Sequence, residues 1–168
     1  MNVITLGDDA LRQKAEPVKP INAEIANIAA EMIETMHQSK GVGLAGPQIG
    51  LMKRIFVVHV DGDAPRVFIN PSIIGTSQET VKLEEGCLSL PGVWADVIRP
   101  VSVRVQAWNE KGRPFTIETD GILARVILHE YDHLEGTLFI DRIPESRRNK
   151  ILAKFEKQGS LTRSAAGE

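Results

Sequence analysis

Three side chains in the stretch ILARVILHEYDHLEG (Ile122–Gly136) have the types and spacing of a metal site: His129, Glu130 and His133. Two histidines four residues apart on a helix lie about 40° apart around its axis and roughly 6 Å along it. Both imidazoles then reach one divalent ion at about 2.0–2.1 Å. Glu130, directly after the first histidine, is placed to hydrogen-bond a water beside that ion. The chemistry this pattern serves is metal-assisted hydrolysis. Three polar groups inside an apolar helix need such a reason, because burying them without partners is costly. Two histidines do not complete a metal's ligand set, so further ligands must come from elsewhere in the chain.

The elements that must position these groups are legible around them. Ile122, Leu123, Val126, Ile127 and Leu134 recur at helical spacing, Asp120 stands at the cap position, and Gly136 is a natural stop. Upstream, Asp8–Ala15 reads as short helical turns ended by Pro17 and Pro20. An amphipathic helix follows from Asn22, with Ile25, Ile28, Ala29, Met32 and Met36 on one face. His37, at its end, and His59, in a later strand, have no partner nearby in sequence and read as structural or surface residues. Arg54–Val60 is a buried strand, and Val67–Ile74 a second one. Asn70-Pro71 interrupts the latter and places it near an edge or a bulge. Residues Gly75–Glu79 read as a loop. Val97–Trp108 alternates as one half-exposed strand, and Asn109–Gly112 turns it into Pro114–Thr119. Phe139–Ile143 is short and irregular. Pro144 opens a last helix through Phe155, whose basic run (Arg147, Arg148, Lys150, Lys154) reads as a solvated face.

Two loops carry further candidates. Gly41–Gln48 contains the string G-x-G-x-x-G, but it follows a helix and does not open one, so it is not a dinucleotide site. Glycines there let backbone approach a ligand closely, and Gln48 offers a neutral amide at the loop's end. Cys87, in Glu84–Pro91, is the sole cysteine of the chain; by itself it reads as a buried free thiol, and beside a two-histidine site it is the candidate third ligand.

Composition bounds the rest. The 168 residues are 42% hydrophobic and 25% charged, which fits one globular domain, here 1–158, with a flexible tail, 159–168. A net charge of −2 gives no basic excess for nucleic acid or anionic membranes. No apolar run is long enough to span a bilayer, and the N-terminal residues lack the pattern of a secretory signal. One cysteine excludes an intrachain disulfide and fits a reducing compartment.

The motifs GVGLAGPQ (Gly41–Gln48), EGCLS (Glu85–Ser89) and HEYDH (His129–His133), in this order, resemble the peptide deformylases over about residues 3–158. The resemblance implies an α+β fold, with antiparallel strands packed around a central metal-binding helix and a C-terminal helix. It implies removal of the N-formyl group from the formyl-methionine of newly made polypeptides. Cys87, His129 and His133 match the metal ligands, and Glu130 the catalytic acid/base. Gln48 and the Leu88 amide match the oxyanion donors. Gly43 matches the residue whose backbone meets the substrate.

The chemistry agrees from below. A Cys-His-His set keeps one position open for water; the metal acidifies that water, and Glu130 takes its proton. The hydroxide so produced attacks the formyl carbon, and the oxyanion donors stabilise the result. Softness and geometry alone point to Zn²⁺; the resemblance implies Fe²⁺, one per chain, with Zn²⁺, Ni²⁺ or Co²⁺ as substitutes. The expected substrate lies extended along a strand edge at Val42–Leu44, with its methionine in a pocket of Val42, Leu83, Ile122 and Val126. The expected partners are formylated nascent chains, with possible contact with the ribosome, in a bacterial-type cytosol or derived organelle.

Two positions depart from the family's usual residues. Gly46 replaces a second alanine, a change expected to loosen the loop. Arg125 replaces an apolar pocket residue and is expected at the pocket rim or snorkelling outward. Asp132 is expected to pair with Arg99, and Trp94 to wall the groove. A zinc endopeptidase shares His-Glu-x-x-His. However, Phe139 stands where one variety needs a third histidine, Glu156 is the sole plausible ligand for another, and Cys87 would have no role.

Overall fold

In the computed structural model, the backbone of residues 1–166 and the side chains of residues 1–157 are described. Residues 159–168, expected as a flexible tail, fall outside the described side chains. The elements are α1 (Ala23–Gln38), β1 (Gly43–Ala45), β2 (Ile55–Val58), β3 (Arg66–Thr76), β4 (Thr80–Cys87), β5 (Leu90–Pro100), β6 (Ser102–Trp108), β7 (Pro114–Asp120), α2 (Gly121–Leu134) and α3 (Glu145–Ala166). Short 3-10 turns cover Asp9–Arg12, Gly46–Ile49 and Phe139–Arg142. Among the described residues no helix is long and apolar enough to cross a membrane.

The strands form an antiparallel five-stranded sheet in the order β1-β2-β3-β6-β7 and a separate β4-β5 hairpin. Strand β2, Ile-Phe-Val-Val, is buried at every residue because both sheet faces are covered. Ile55 and Val57 join the cluster under α1, with Met32 and Met36. Phe56 and Val58 join the cluster under α2, with Ala124 and Ile127. The alternation of side chains along a strand thus assigns one helix to each face. The hairpin packs its apolar side chains against Leu138, Phe139, Ile140 and Ile143 and meets α2 through Arg125 and Glu85.

Several sequence expectations are corrected or narrowed. Strand β3 is central in the sheet, so of the two readings of Asn70-Pro71, edge or bulge, the bulge holds. The register shifts between Ile69 and Ser72, and Asn70 has φ 48°. The bulge removes the ladder position that proline could not fill. Residues Gly75 and Thr76, expected as loop, continue β3. The stretch expected as one strand over Val97–Trp108 is two, because the chain leaves the hairpin after Pro100 and enters the large sheet at Ser102. The last helix runs past Phe155 to Ala166. Asp120 stands at the cap position of α2, but its side chain makes no cap hydrogen bond. His37 and His59 partner each other, with Nε2 of His37 2.8 Å from Nδ1 of His59; they lie 22 residues apart, beyond any local pattern.

The C-terminal end of α2 is closed by two backbone bonds: Thr137 N–H donates to Asp132 O at 2.9 Å and Gly136 N–H to His133 O at 3.2 Å. This is a Schellman arrangement, and it needs a left-handed residue at position 136. Gly136 has φ 73°, and a Cβ there would lie 2.6 Å from the Arg12 carbonyl oxygen. Arg54 adds a cation at the same end, donating to Leu134 O at 3.1 Å. Gly136→Ala is expected to lower the unfolding free energy by at least about 1 kcal/mol from left-handed strain alone. The check is a shift of the denaturant midpoint, and an unchanged midpoint would refute this account of the helix end.

Candidate active site

Helix α2 carries His129, Glu130 and His133 inward, all buried. The turn between β4 and β5 brings Cys87 to them, and Nε2 of His133 lies 3.3 Å from Cys87 Sγ. One donor atom from each of Cys87, His129 and His133 lies within 4.8 Å of the others, a spacing one ion at about 2.0–2.3 Å from each can close. Nδ1 of His129 is engaged by Glu85 Oε1 at 2.8 Å, which leaves Nε2 for the ion. No other group of three such residues converges among those described.

The electrostatics fit a cation. Burial alone would raise Glu85, but hydrogen bonds from His129 and Arg99 outweigh it and hold the carboxyl at about 2. Burial disfavours charge on His129, yet hydrogen bonds to Cys87 and Glu85 raise it to about 10. Burial, with the charge of His129, holds His133 well below the ordinary imidazole range. The carboxylates of Glu85 and Glu130 thus favour positive charge at His129, the direction a cation site needs. Burial also pushes Glu130 up to about 7, against the pull of His129 and Arg99. Among the described residues, two buried side-chain atoms lack a protein partner: Glu130 Oε2 and His133 Nδ1. The first is an unmet acceptor beside the donor cluster, as a hydrolytic site requires for its water.

Gln48 is buried and its amide orientation is fixed. Its Oε1 accepts from Ala45 N–H at 2.9 Å, so Nε2 faces the site, donating to Ser89 Oγ at 3.1 Å and to Cys87 Sγ at 3.4 Å. Gly43 lies against the catalytic helix: a Cβ there would come within 2.7 Å of Glu130 Oε1. Strand β1 is an edge. Since His59 N–H donates to Val42 O, the alternating antiparallel ladder leaves the N–H and C=O of Gly43 facing outward.

A cavity of about 520 Å³ opens at this edge. Of the expected substrate contacts, Val42, Gly43, Ile122 and Val126 line it, as do Leu88, Glu130 and Trp94. Two expected contacts are corrected. Leu44, expected at the edge through its backbone, turns its N–H and C=O inward to Val57, and its side chain is buried in the cluster under α1. Leu83 is 39% exposed, farther along β4 from the site than the cavity reaches. Gly46 stands where the chain folds back on itself. The Leu51 and Lys53 carbonyls close onto it, 2.6 and 2.7 Å from where a Cβ would stand. Trp94, 60% exposed, lies across Gly86, whose missing side chain leaves room for the ring.

Arg125 borders the cavity, as the rim reading expected, but does not snorkel into solvent. It is buried against Glu85 and two strand carbonyls. The Asp132–Arg99 pair is present at 2.9 Å, and Arg142 grips the same carboxylate through two nitrogens. Phe139 stacks on His129 with ring centroids 5.9 Å apart, a packing role at the position an endopeptidase would give to a ligand. Glu85 stands in the EGCLS motif, where its contact with His129 is not evident from the motif itself. The available signal was strand alternation, which puts Glu85 and Cys87 on one face.

Comparison with known proteins agrees with the geometry. A family model described as polypeptide deformylase matches residues 1–149. A peptide deformylase of Clostridium botulinum is 52% identical over 141 residues, 84% of this chain and 95% of that protein. One of Borreliella burgdorferi is 46% identical over 162 residues, 96% of this chain and 98% of the relative. The crystal structure of a Synechococcus elongatus peptide deformylase in complex with actinonin superposes with a TM-score of 0.86 at 43% identity, covering 91% of this chain and 84% of that one. Sequence and fold agree over most of the chain, and it belongs to the peptide deformylase family, hydrolases that act on N-formyl peptides.

Proposed function

We propose that this chain removes the formyl group from the N-terminal formyl-methionine of new polypeptides with one Fe²⁺ held by Cys87 Sγ and the Nε2 atoms of His129 and His133. The observation that carries this reading is the convergence of those donors beside the unpartnered Oε2 of Glu130. When bound, the metal supplies Lewis acidity and acidifies a water. Glu130, whose Oε1 lies 3.9 Å from His129 Nε2, takes the proton and returns it to the leaving amine. Formate and a free N-terminus result.

The remaining residues orient the substrate. The outward N–H and C=O of Gly43 pair with an extended peptide backbone on the β1 edge. Val42, Ile122 and Val126 take the methionine side chain in the apolar part of the cavity. Gln48 Nε2 and the Leu88 amide are the donors for the oxyanion; the Gln48 proton shared with Cys87 Sγ is in the weaker of its two contacts and is the one available. A formyl carbon bears only hydrogen, so a closed pocket around it rejects acetyl groups by size. A bacterial-type cytosol, where formylated chains emerge, is the setting this substrate requires, and contact with the ribosome would bring the enzyme to it.

The direct test is formate release from formyl-Met-Ala-Ser and acetyl-Met-Ala-Ser by protein prepared anaerobically with Fe²⁺. Formate from the first and no deacylation of the second is expected; cleavage of internal peptide bonds instead would move the assignment to an endopeptidase. Glu130→Ala is expected to keep its metal, read by elemental analysis, and to lose turnover; near-normal formate release would remove Glu130 from the acid/base role. Gln48→Leu is expected to lower kcat by about 10²–10³-fold with metal content unchanged. A loss below tenfold would show that its amide does not act on the oxyanion.

A further inference from the structure

Arg125 lies one helical turn before His129 and shares its face of α2. Its Nη1 donates to Glu85 Oε2 at 2.5 Å and to Val97 O at 3.0 Å, and its Nη2 donates to Val81 O at 2.8 Å. Val81 is on β4 and Val97 on β5, so one side chain ties the helix to both strands of the hairpin. Glu85, in turn, engages Nδ1 of His129.

The other arginine on Glu85 does not duplicate this link. Arg99 holds both Glu85 oxygens, at 2.6 and 2.9 Å, but Arg99 and Glu85 belong to the same hairpin. Arg99 reaches α2 through Asp132, beside His133. On the N-terminal side of His129, the polar link from helix to hairpin is Arg125. The two arginines therefore bracket the histidines, one toward each end of the ligand-bearing segment.

We propose that Arg125 is a positioning residue for the metal centre: through Glu85 it fixes the ring of His129, and through Val81 and Val97 it sets the hairpin that carries Cys87 against the helix that carries both histidines. The proposal rests on the reading of Cys87, His129 and His133 as metal ligands. A planar guanidinium reaches three acceptors in a fixed fork, which a lysine ammonium cannot reproduce. Groups that orient a ligating imidazole typically change metal affinity by about 10–100-fold when removed.

The test uses the Ni²⁺-loaded full chain, with metal release into excess chromophoric chelator as the readout. Arg125→Lys and Arg125→Met are expected to release Ni²⁺ at least about tenfold faster than the parent. Their kcat for formyl-Met-Ala-Ser should fall, with KM nearly unchanged. Parental release rates with a raised KM would make Arg125 a pocket wall and overturn the proposal. Parental release with only a lowered melting temperature would make it a brace of the fold and also overturn it. If Arg125→Met does not fold, Arg125→Lys, which keeps the stem and the charge, decides. His129→Ala separates the underlying reading. If that variant holds Ni²⁺ as the parent does, the ligand assignment fails whatever Arg125 does.

Discussion

The active site depends on a buried ionic network between α2 and the β4-β5 hairpin. Glu85 is gripped by Arg99 and Arg125, and Asp132 by Arg99 and Arg142. Removing such charges from water costs several kcal/mol per ion, and their attraction offsets this only when geometry and partners are complete. The network meets that condition: each carboxylate has two arginines, and Glu85 also engages His129. Its contribution is thus orientation more than stability. It sets the distance between the strand that brings Cys87 and the helix that brings the two histidines, and it fixes which imidazole nitrogen faces inward.

Around this network the chain uses small residues wherever backbone must come close. Gly43 allows the β1 edge to lie against Glu130, and Gly46 accepts two carbonyl oxygens where a side chain would otherwise stand. Gly86 leaves its place to the Trp94 ring. The result is a cavity with a polar end at the donor cluster and an apolar mouth, where Val42, Ile122 and Trp94 remain exposed. An edge strand is ordinarily a hazard for unwanted pairing. Here the edge is only three residues long, and Gln48 covers the N–H of Ala45, so little beyond the backbone of Gly43 is left to pair with a peptide.

The departures at Gly46 and Arg125 take opposite meanings once packing is known. A glycine in a loop suggests freedom, yet Gly46 is the point at which two carbonyls converge. An arginine on a site helix suggests a side chain in solvent, yet Arg125 faces a carboxylate and two strand carbonyls. For Arg125 the deciding neighbours are remote in sequence, and for Gly46 they are Leu51 and Lys53 across the following turn, so the residue type alone misleads.

The amino-acid sequence by itself determined helices α1 and α2 and strand β2 and nominated the donor set, but not the β4-β5 hairpin. The 3.6-residue period of α2, the His129–His133 spacing, the two-residue alternation of β6 and the stop at Gly136 are all local, and each reads from a few neighbours. Cys87 and Gln48, which no local period links to the helix, were nominated by residue type, and the family motifs gave them roles. Only the tertiary structure decided what depends on register between distant segments. Glu85 meets Arg125 and His129 across 40 and 44 residues, the strand over Val97–Trp108 divides between two sheets, and Leu44 turns to the core while Val42 lines the cavity. A one-residue change in strand register would reverse which faces these side chains occupy, and that register is set by how helix, sheet and hairpin pack together.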